Sequence, residues 1–262
     1  MRAIGKDHDI IKMIRKRKNK NVHDGLALVE EIGVLEKYLS SKYIDKFPIN
    51  TLLFCPELIT SEYAQKILVG LMNIAENTFS VSEKTYELFN DKKNSAGVFA
   101  VIEWKDLSYE DFLKEGYKNV VIIDALENPG NVGTIFRTAD ATGIDAIIAV
   151  DLKTMVYSKK CISASRGMLF EIPVLSLNFR QAQSLLIENG YTIYLGEPKE
   201  GKSYSEIEYA DKKAVVVGSE RFGINAEWYN NKHEKIFIPM KGSMTSLNVG
   251  VAASIIMYEM MK

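Results

Sequence analysis

The pattern of apolar and polar positions changes near residue 118, and this change divides the chain into two predicted parts. Downstream, short runs rich in Val and Ile alternate with segments whose apolar residues recur at helical spacing. This alternation predicts βα repeats, and therefore an α/β domain with a parallel sheet. The predicted strands are 120–125, 146–150, 173–177, 191–195, 214–217 and 235–238, and the predicted helices are 131–142, 158–166, 179–189, 225–231 and 246–261.

Upstream, residues 1–105 are predicted to form a smaller, self-contained α/β domain. Apolar residues at roughly helical spacing predict largely helical structure over 8–45. Strands are predicted at 51–55, 79–81 and 97–102. One helix is predicted after Ser61, which is a favourable N-cap, and a short helix is predicted to begin at Ser82. The polar and acidic segment 106–117 is predicted to be the linker to the second domain, residues 118–262.

Bulk composition indicates a globular protein with a sizeable core. The chain has 262 residues, of which 47% are hydrophobic and 26% are charged. Cys55 and Cys161 have neither metal-ligand spacing nor disulfide density, which favours a reducing, cytoplasmic location. The histidines His8, His23 and His233 are scattered, so we expect no metal site.

Positive charge is concentrated at the N-terminus, although the net charge of the chain is −1. Residues 1–20 carry eight Lys or Arg against two Asp, a local charge of +6. The basic run at Arg15, Lys16, Arg17 and Lys18 is therefore a candidate contact for nucleic-acid phosphates. A solvated helix face explains the same run equally well.

Three polar motifs interrupt the apolar pattern of the second domain. They are Glu127–Thr138, Val216–Gly223, and Ile238–Met240 followed by Ser246–Val249. The first two begin where a β-branched run ends, which is where open α/β sheets bind ligands. We therefore expect the three motifs to form the rim of one site.

A fourth motif, at 196–203, matches the P-loop pattern but lacks its context. Pro198 removes a backbone amide that a phosphate would need, and Glu197 and Glu200 would repel a polyphosphate. Too few residues separate Ser203 from the next strand for a full helix. An NTPase remains a weak alternative that would require magnesium-dependent nucleotide binding through Lys202.

In the first motif, the turn at 128–131 makes Asn131 a candidate helix N-cap. Arg137 then falls near the end of the second helical turn, where it is a candidate functional residue. Alternatively, Arg137 is a solvated side chain and Asn131 only caps the helix.

The three motifs together resemble those of the SpoU (TrmH-type) RNA 2′-O-ribose methyltransferases of the SPOUT superfamily. The family patterns N-x-G-x-x-x-R-T, G-x-E-x-x-G-[ILV] and I-P-M…S-L-N-V occur here in the family's order. Residues 1–105 resemble, more loosely, the small RNA-binding domain that precedes the catalytic domain in many members. Residues 164–167 and 172–174 look most like the ribosomal RNA branch, including thiostrepton-resistance-type enzymes. One departure is Arg221-Phe222, where many members have glycine after the acid.

This resemblance implies a fold, a cofactor and a set of site residues. The implied fold is a C-terminal parallel-sheet SPOUT domain with a deep trefoil knot, preceded by a small α/β RNA-binding domain, assembling as a homodimer through the catalytic domain. The implied cofactor is S-adenosyl-L-methionine, bound by Leu195, Gly196, Gly218, Ser219, Ile238, Met240 and Leu247. The implied catalytic residues are Arg137, Asn131, Glu220, Ser246 and Asn248, and Arg166 joins the basic run as an RNA-binding residue.

The implied reaction is attack of a ribose 2′-hydroxyl on the sulfonium methyl, which requires positioning and removal of one proton. A free guanidinium is too weakly acidic to serve as a base at neutral pH, so we expect Arg137 to bind a phosphate and orient the ribose. We expect Glu220 to fix the local geometry. Transfer RNA as the substrate, or a non-catalytic RNA-binding protein on the same fold, are the alternatives. The final helix, apolar nearly all round, is expected to be buried on both sides.

Overall fold

A computed structural model of the chain describes residues 2–18, 22, 24–90 and 95–262, which form two compact units. Its strands are β1 (Arg2–Ala3), β2 (Leu26–Val29), β3 (Ile49–Phe54), β4 (Asn77–Ser80), β5 (Val98–Glu103), β6 (Asn119–Asp124), β7 (Ala146–Val150), β8 (Val174–Leu177), β9 (Thr192–Glu197), β10 (Lys202–Ser203), β11 (Lys213–Val217) and β12 (Glu234–Phe237). Its α-helices are α1 (Asp9–Lys18), α2 (Ile32–Leu39), α3 (Glu62–Met72), α4 (Glu83–Tyr86), α5 (Tyr109–Glu115), α6 (Pro129–Thr142), α7 (Lys159–Ser165), α8 (Phe179–Glu188) and α9 (Val249–Met260). Short 3-10 helices lie at Ile44–Lys46, Pro56–Leu58, Met168–Phe170, Tyr204–Glu206 and Ala226–Asn230.

The first unit is built on a five-stranded sheet in the order β1-β4-β3-β5-β2. Strands β1, β4 and β3 run parallel, whereas β5 is antiparallel to both β3 and β2. One face of the sheet buries Leu53, Phe99 and Val101 against apolar residues of α1. Ser61 caps α3 by accepting a hydrogen bond from the Ala64 amide at 3.1 Å, which confirms the predicted N-cap.

The first unit also contains residues 157–171, which the predicted boundary at 105 left in the second domain. The Phe170 ring packs edge-on against Tyr38 and Phe47, with ring centroids 5.3 and 5.5 Å apart. The backbone carbonyl oxygen of Phe170 accepts a hydrogen bond from the Ser41 hydroxyl at 2.7 Å. Because these aromatic contacts are long-range, local periodicity does not reveal them.

The prediction of helix across 8–45 is wrong for Leu26–Val29, which form β2 and pair antiparallel with β5. Gly25, with a φ of 71°, turns the chain into this strand. Both faces of β2 carry apolar side chains, so its short run has no alternation that would mark it as a strand. Pairing with β5 decides the conformation of such an ambiguous run.

The second unit comprises 106–156 and 172–262 and has a seven-stranded, fully parallel sheet. The strand order is β10-β12-β9-β11-β6-β7-β8. All five residues of β7 are buried, as a strand covered on both faces requires. The predicted parallel α/β architecture is confirmed, and the predicted strands each lie within two residues of the observed bounds.

The segment 106–117 is not simply a linker, because it contains α5 and belongs to the second unit. Ser108 caps this helix, accepting a hydrogen bond from the Asp111 amide at 3.0 Å. Phe112 is 1% exposed and lies in the core, edge-on to Tyr117. The acidic residues that suggested a linker lie on the solvent side of the helix.

Helix α9 packs on α6 through one face only. The hydroxyls of Thr138 and Ser254 are 2.8 Å apart, and Ala253, Ile256 and Met257 are buried. The face of α9 that carries Val251 and Tyr258 is 46% and 59% exposed at these residues, and this is the face that, from the sequence, we expect a second subunit to cover. Within the described residues, no helix combines the length and apolar character that crossing a membrane would take.

Candidate active site

The site lies at the edge of the parallel sheet where β9, β11 and β12 end. The loops after these strands and the start of α9 enclose a cavity of about 590 Å³. Parallel strands present their carboxyl ends at one edge, which is why loops distant in sequence meet there. The lining residues are 196–198, 217–224, Tyr229, Ile238, Met240, 246–249, Ala252 and Ile256.

A tight loop after β11 forms one wall of the cavity. The backbone of Ser219 and Gly223 exchanges two hydrogen bonds of 2.9 Å, and the Ser219 hydroxyl accepts a third from the Phe222 amide at 3.1 Å. The left-handed position of the loop is Gly223, with a φ of 70°. Arg221 and Phe222 do not have a positive φ, so this loop does not require glycine at either residue.

The backbone packing of this loop requires glycine at position 218. A Cβ at this position would lie 2.2 Å from the carbonyl carbon of Gly223 and 2.2 Å from the Ile224 amide nitrogen. Both atoms belong to the backbone and cannot move aside as a flexible side chain would. The two ends of the loop can approach this closely only because residue 218 has no side chain.

A buried carboxylate, Asp124, fixes the far end of the same loop. Its Oδ2 accepts hydrogen bonds from the Asn225 amide at 2.7 Å and from the Trp228 indole at 3.2 Å. Burial raises the pKa of Asp124, although these two donors oppose the shift. Sequence reasoning missed this residue, whose only signal is a charged side chain at the end of an apolar strand.

Three polar side chains form a chain of hydrogen bonds at the cavity wall. The Asn248 amide group donates to Asn131 Oδ1 at 3.1 Å, and Asn131 Nδ2 in turn donates to the Glu220 carboxylate. Asn248 also caps α9, because its Oδ1 accepts from the amides of Gly250 and Val251. The predicted cluster of Asn131, Glu220 and Asn248 is thus assembled in space.

Asn131 is not the N-cap of α6, as the turn signal had suggested. The cap is Asn128, whose Oδ1 accepts a hydrogen bond from the Gly130 amide at 2.8 Å. The helix therefore begins at Pro129, which is favourable at a first helical position. The Asn131 side chain therefore makes no capping bond and instead forms the hydrogen bonds with Glu220 and Asn248.

Most of the residues predicted to bind a cofactor line the cavity: Gly196, Gly218, Ser219, Ile238, Met240 and Leu247. Leu195 does not line it, because its side chain is 1% exposed and belongs to the core beneath the sheet edge. Ser246, predicted to be catalytic, lies on the lining.

Arg137 stands apart from the cavity. It is an exposed residue of α6 and is not a lining residue. Six residues separate it from Asn131, which places it about 9 Å farther along the helix axis. In the single chain the structure therefore does not bring Arg137 to the polar chain.

Tyr229 lines the cavity beside Glu197, although no signal in the sequence pointed to it. The Tyr229 hydroxyl donates to the Glu197 carboxylate, and Lys235 Nζ lies 5.0 Å from the Tyr229 ring centroid. Burial, followed by the Glu197 carboxylate, raises the pKa of Tyr229. The resemblance also implies that the loop at 195–197 lies close to the cofactor, and Glu197 does line the cavity. The segment that matches the P-loop pattern is followed by a short strand and a 3-10 helix at 202–206, not by the full helix that a P-loop needs.

The basic N-terminal run is only partly exposed. Arg15 and Lys16 are exposed, but Arg17 is buried, pairs with Asp24 and donates to the Leu26 carbonyl at 3.2 Å. Burial lowers the pKa of Arg17. Its prediction as an exposed phosphate contact is therefore wrong, since its guanidinium holds the turn into β2. The side chain of Lys18, together with Lys20 and His23, lies outside the described residues.

The remaining predicted residue, Arg166, is exposed and belongs to the first unit. Across the described ranges, no group of three or more His, Cys, Asp or Glu side chains is arranged to hold a metal ion.

Comparison with known proteins matches both the second unit and the chain as a whole. The SpoU rRNA Methylase family matches residues 118–258. The chain is 31% identical over 234 residues to a Staphylococcus aureus (strain MSSA476) protein named "Putative TrmH family tRNA/rRNA methyltransferase", covering 87% of this chain and 88% of that protein. It is 34% identical over 143 residues to the 23S rRNA (guanosine(2553)-2'-O)-methyltransferase RlmP of Bacillus subtilis (strain 168). That match spans 55% of this chain and 58% of RlmP.

Among solved structures, an AdoMet-bound rRNA methyltransferase from Sinorhizobium meliloti superimposes with a TM-score of 0.83. The match covers 99% of this chain and 97% of that one at 22% sequence identity. At this identity the likeness establishes a shared fold.

The contact at Gly218 generates a stability prediction. Gly218→Ala should lower the free energy of unfolding by about 1–3 kcal/mol, because the added methyl group overlaps backbone atoms of Gly223 and Ile224. Urea unfolding measures the change. Gly242→Ala is the matched control, since a Cβ there meets nothing within 4 Å. Unfolding of Gly218→Ala at the wild-type urea midpoint would show that the loop opens without cost.

Proposed function

This chain belongs to the SpoU rRNA methylase family, and we propose that it transfers a methyl group from S-adenosylmethionine to a ribose 2′-hydroxyl of structured RNA. The observation that carries the proposal is the cavity at the strand ends, with Glu220 and Asn248 in its lining and Asn131 joining the two by hydrogen bonds. Both lie within the region that the family match covers. The two relatives named above are RNA methyltransferases by name, one of them a 2′-O-methyltransferase.

The cavity suits S-adenosylmethionine in its size, polarity and charge. About 590 Å³ falls within the range of small-molecule sites. Ile238, Leu247 and Ile256 supply apolar surface for an adenine ring, and the loop backbone offers hydrogen-bonding groups to its edges. The carboxylates of Glu197 and Glu220 favour a ligand with positive charge on sulfur and nitrogen. Gly196, Gly218 and Ser219 would hold the cofactor together with these residues.

When bound, S-adenosylmethionine supplies a methyl group already activated by its positively charged sulfur. The chain's own residues then have to orient the attacking ribose and accept one proton. Asn131 donates to Glu220 and accepts from Asn248, so it fixes the positions of these two lining side chains relative to each other. We assign Glu220 the role of holding this geometry, and Ser246 a place beside it.

Arg137 has a separate role in this proposal. Its guanidinium is exposed on α6 and would bind a phosphate next to the target ribose, which aligns the 2′-hydroxyl. The planar guanidinium fork can hold two phosphate oxygens at once. Its distance from the cofactor cavity is compatible with contact to the RNA.

Ribosomal RNA is the proposed substrate, with transfer RNA as the alternative. The 34% identity to RlmP, a 23S rRNA methyltransferase, supports the first. The name of the Staphylococcus aureus relative includes both RNAs and supports either. A non-catalytic RNA-binding protein is less favoured, because the polar chain is intact.

We propose that the first unit binds RNA. The exposed charges of Arg15 and Lys16 on α1 and of Arg166 support this role, because cations near a phosphate backbone gain affinity by releasing counterions. Arg17 supports it only indirectly, by fixing the turn that follows α1.

We also propose the deep trefoil knot in the C-terminal segment. Three features support it: the loops after β9, β11 and β12 close on one cavity, β12 lies between β9 and β10, and α9 returns to pack on α6. A cytoplasmic location is proposed as well, supported by the buried, free thiols of Cys55 and Cys161.

A homodimer through the second unit completes the proposal. Val251 and Tyr258 lie seven residues apart on the same face of α9 and are exposed, although α9 is otherwise strongly apolar. An exposed apolar helix face of this kind is typical of an interface with another chain.

The proposed activity is tested with purified protein, S-adenosylmethionine carrying a labelled methyl group, and unmodified ribosomal and transfer RNA. Label should appear in a 2′-O-methylated nucleoside of ribosomal RNA, identified by mass spectrometry after digestion. Label on a base, or in neither RNA, would contradict the proposed reaction. Label in transfer RNA alone would transfer the assignment to the alternative substrate.

The role of Arg137 predicts a selective loss of rate. Arg137→Ala should slow single-turnover methyl transfer by about 100-fold or more, because a misaligned nucleophile is costly in a displacement. Arg137→Lys should recover little, since it keeps the charge but loses the planar fork. Cofactor affinity should stay unchanged in both.

Arg180→Ala, which removes an exposed arginine of α8, is the matched control and should keep the wild-type rate. A wild-type rate for Arg137→Ala would exclude Arg137 from the mechanism.

The interface on α9 predicts that Val251→Arg converts the dimer to a monomer, because a desolvated charge in an apolar interface is strongly unfavourable. Sedimentation velocity measures the change in mass. Ile187→Arg is the control, since Ile187 is 50% exposed on α8 and similar in size. A wild-type protein that sediments as a monomer, or a dimeric Val251→Arg variant, would refute the proposed interface.

A further inference from the structure

A second cavity, of about 360 Å³, lies entirely within the first unit. Its walls come from three separate stretches of the chain: the start of α2, residues 95–96, and Arg166 after α7. Nothing in the proposed chemistry of the second unit uses it.

The position of Arg166 at this cavity is fixed by its backbone. Arg166 adopts a left-handed conformation with a φ of 56°, which is unusual for a residue with a side chain, and Gly167 follows with a φ of 87°. A Cβ on Gly167 would lie 3.1 Å from Lys37 Cβ and 3.4 Å from Val34 Cα. The turn after α7 is therefore packed directly on α2, and this packing holds the exposed Arg166 at the lining of the cavity.

The cavity combines charges of both signs with apolar surface. Lys37 and Arg166 are its cations, and Ile32, Val34 and Ala96 supply apolar area. Glu31, at the N-cap position of α2, also lines it.

A second lining acid, Glu30, is buried and paired with Lys159, with 2.9 Å between the Nζ and Oε1 atoms. A bare anion would be repelled by the nearby carboxylates, and a simple cation by Lys37 and Arg166. A nucleotide complements both the cations and the carboxylates of the cavity. Its phosphate is anionic, and the ring and exocyclic N–H groups of its base donate hydrogen bonds.

We propose that this cavity binds one unpaired nucleotide of the RNA substrate. The phosphate contacts Lys37 and Arg166, the base lies against Ile32, Val34 and Ala96, and its N–H groups donate to Glu31. Recognition of unpaired bases is the usual source of sequence selectivity in RNA binding, since the edges of paired bases are hard to reach. The inference rests on the proposed function in so far as RNA is the substrate, and it assigns the first unit a way to choose among RNAs.

The test measures binding of fluorescently labelled RNA to the full chain by anisotropy, without cofactor. The probes are short single-stranded oligonucleotides and a duplex of the same length. The wild type should prefer the single strands. Gly33→Leu fills the cavity without removing charge, and a Cβ at Gly33 meets nothing within 4 Å, so the fold should tolerate it. Gly33→Leu should weaken single-strand binding by about tenfold, as expected for loss of one base contact. Arg166→Gln should weaken it by about tenfold as well, because it removes a charged phosphate contact.

Lys160→Ala is the matched control, because it removes one exposed charge from α7 and Lys160 is not a lining residue. It should retain the preference for single strands. Wild-type affinity for single strands in both Gly33→Leu and Arg166→Gln overturns the proposal. An equal loss of single-strand affinity in Lys160→Ala also overturns it, because that result would indicate general charge attraction.

The two proposals fail in different ways. If the wild type methylates no RNA but Gly33→Leu and Arg166→Gln lose single-strand binding, the proposed reaction fails and the cavity assignment holds. If the wild type methylates ribosomal RNA and both variants match it in binding and rate, only the cavity assignment fails.

Discussion

The carboxamide of Asn131 joins three segments that are far apart in the sequence. It donates to Glu220, 89 residues away, and accepts from Asn248, 117 residues away. Through these bonds the first turn of α6, the loop after β11 and the start of α9 share one geometry. Asn131 is only 9% exposed, so a lost partner would leave a buried polar group unsatisfied, at about 1–3 kcal/mol. The contacts that shape the cavity wall therefore also stabilise the fold, and Asp124 holds the loop after β11 from the end of β6.

Sequence patterns predicted the second unit well because its sheet is parallel. Central strands covered on both faces are continuous apolar runs, such as 146–150, and these are hard to mistake when helices separate them. The motifs also pointed to residues of the cavity wall, such as Glu220 and Asn248, because a polar group beside a buried strand has few structural reasons to be there. Asn131, Glu220 and Asn248 do meet in space, as the motifs implied.

The errors arise where a distant contact decides a local outcome. The run at 26–29 becomes a strand because β5 pairs with it, and 157–171 joins the first unit because Phe170 packs on Tyr38. Arg17 belongs to a basic run, yet its partner Asp24 buries it. The exposure of Arg137 follows from where helix α6 begins, at Pro129, and from how the helix packs. None of these facts is encoded within a single window of sequence.

The membership of residues 157–171 in the first unit affects how the protein can be divided. The chain passes between the two units three times, near 105, 156 and 171. A fragment ending at 105 would lack α7, and the rings of Tyr38 and Phe47 would lose Phe170. The second unit, conversely, is formed by two stretches of chain, 106–156 and 172–262, on either side of this segment. A chimera that exchanges the first unit therefore has to carry residues 157–171 along with residues 1–105, because both stretches belong to the same compact unit.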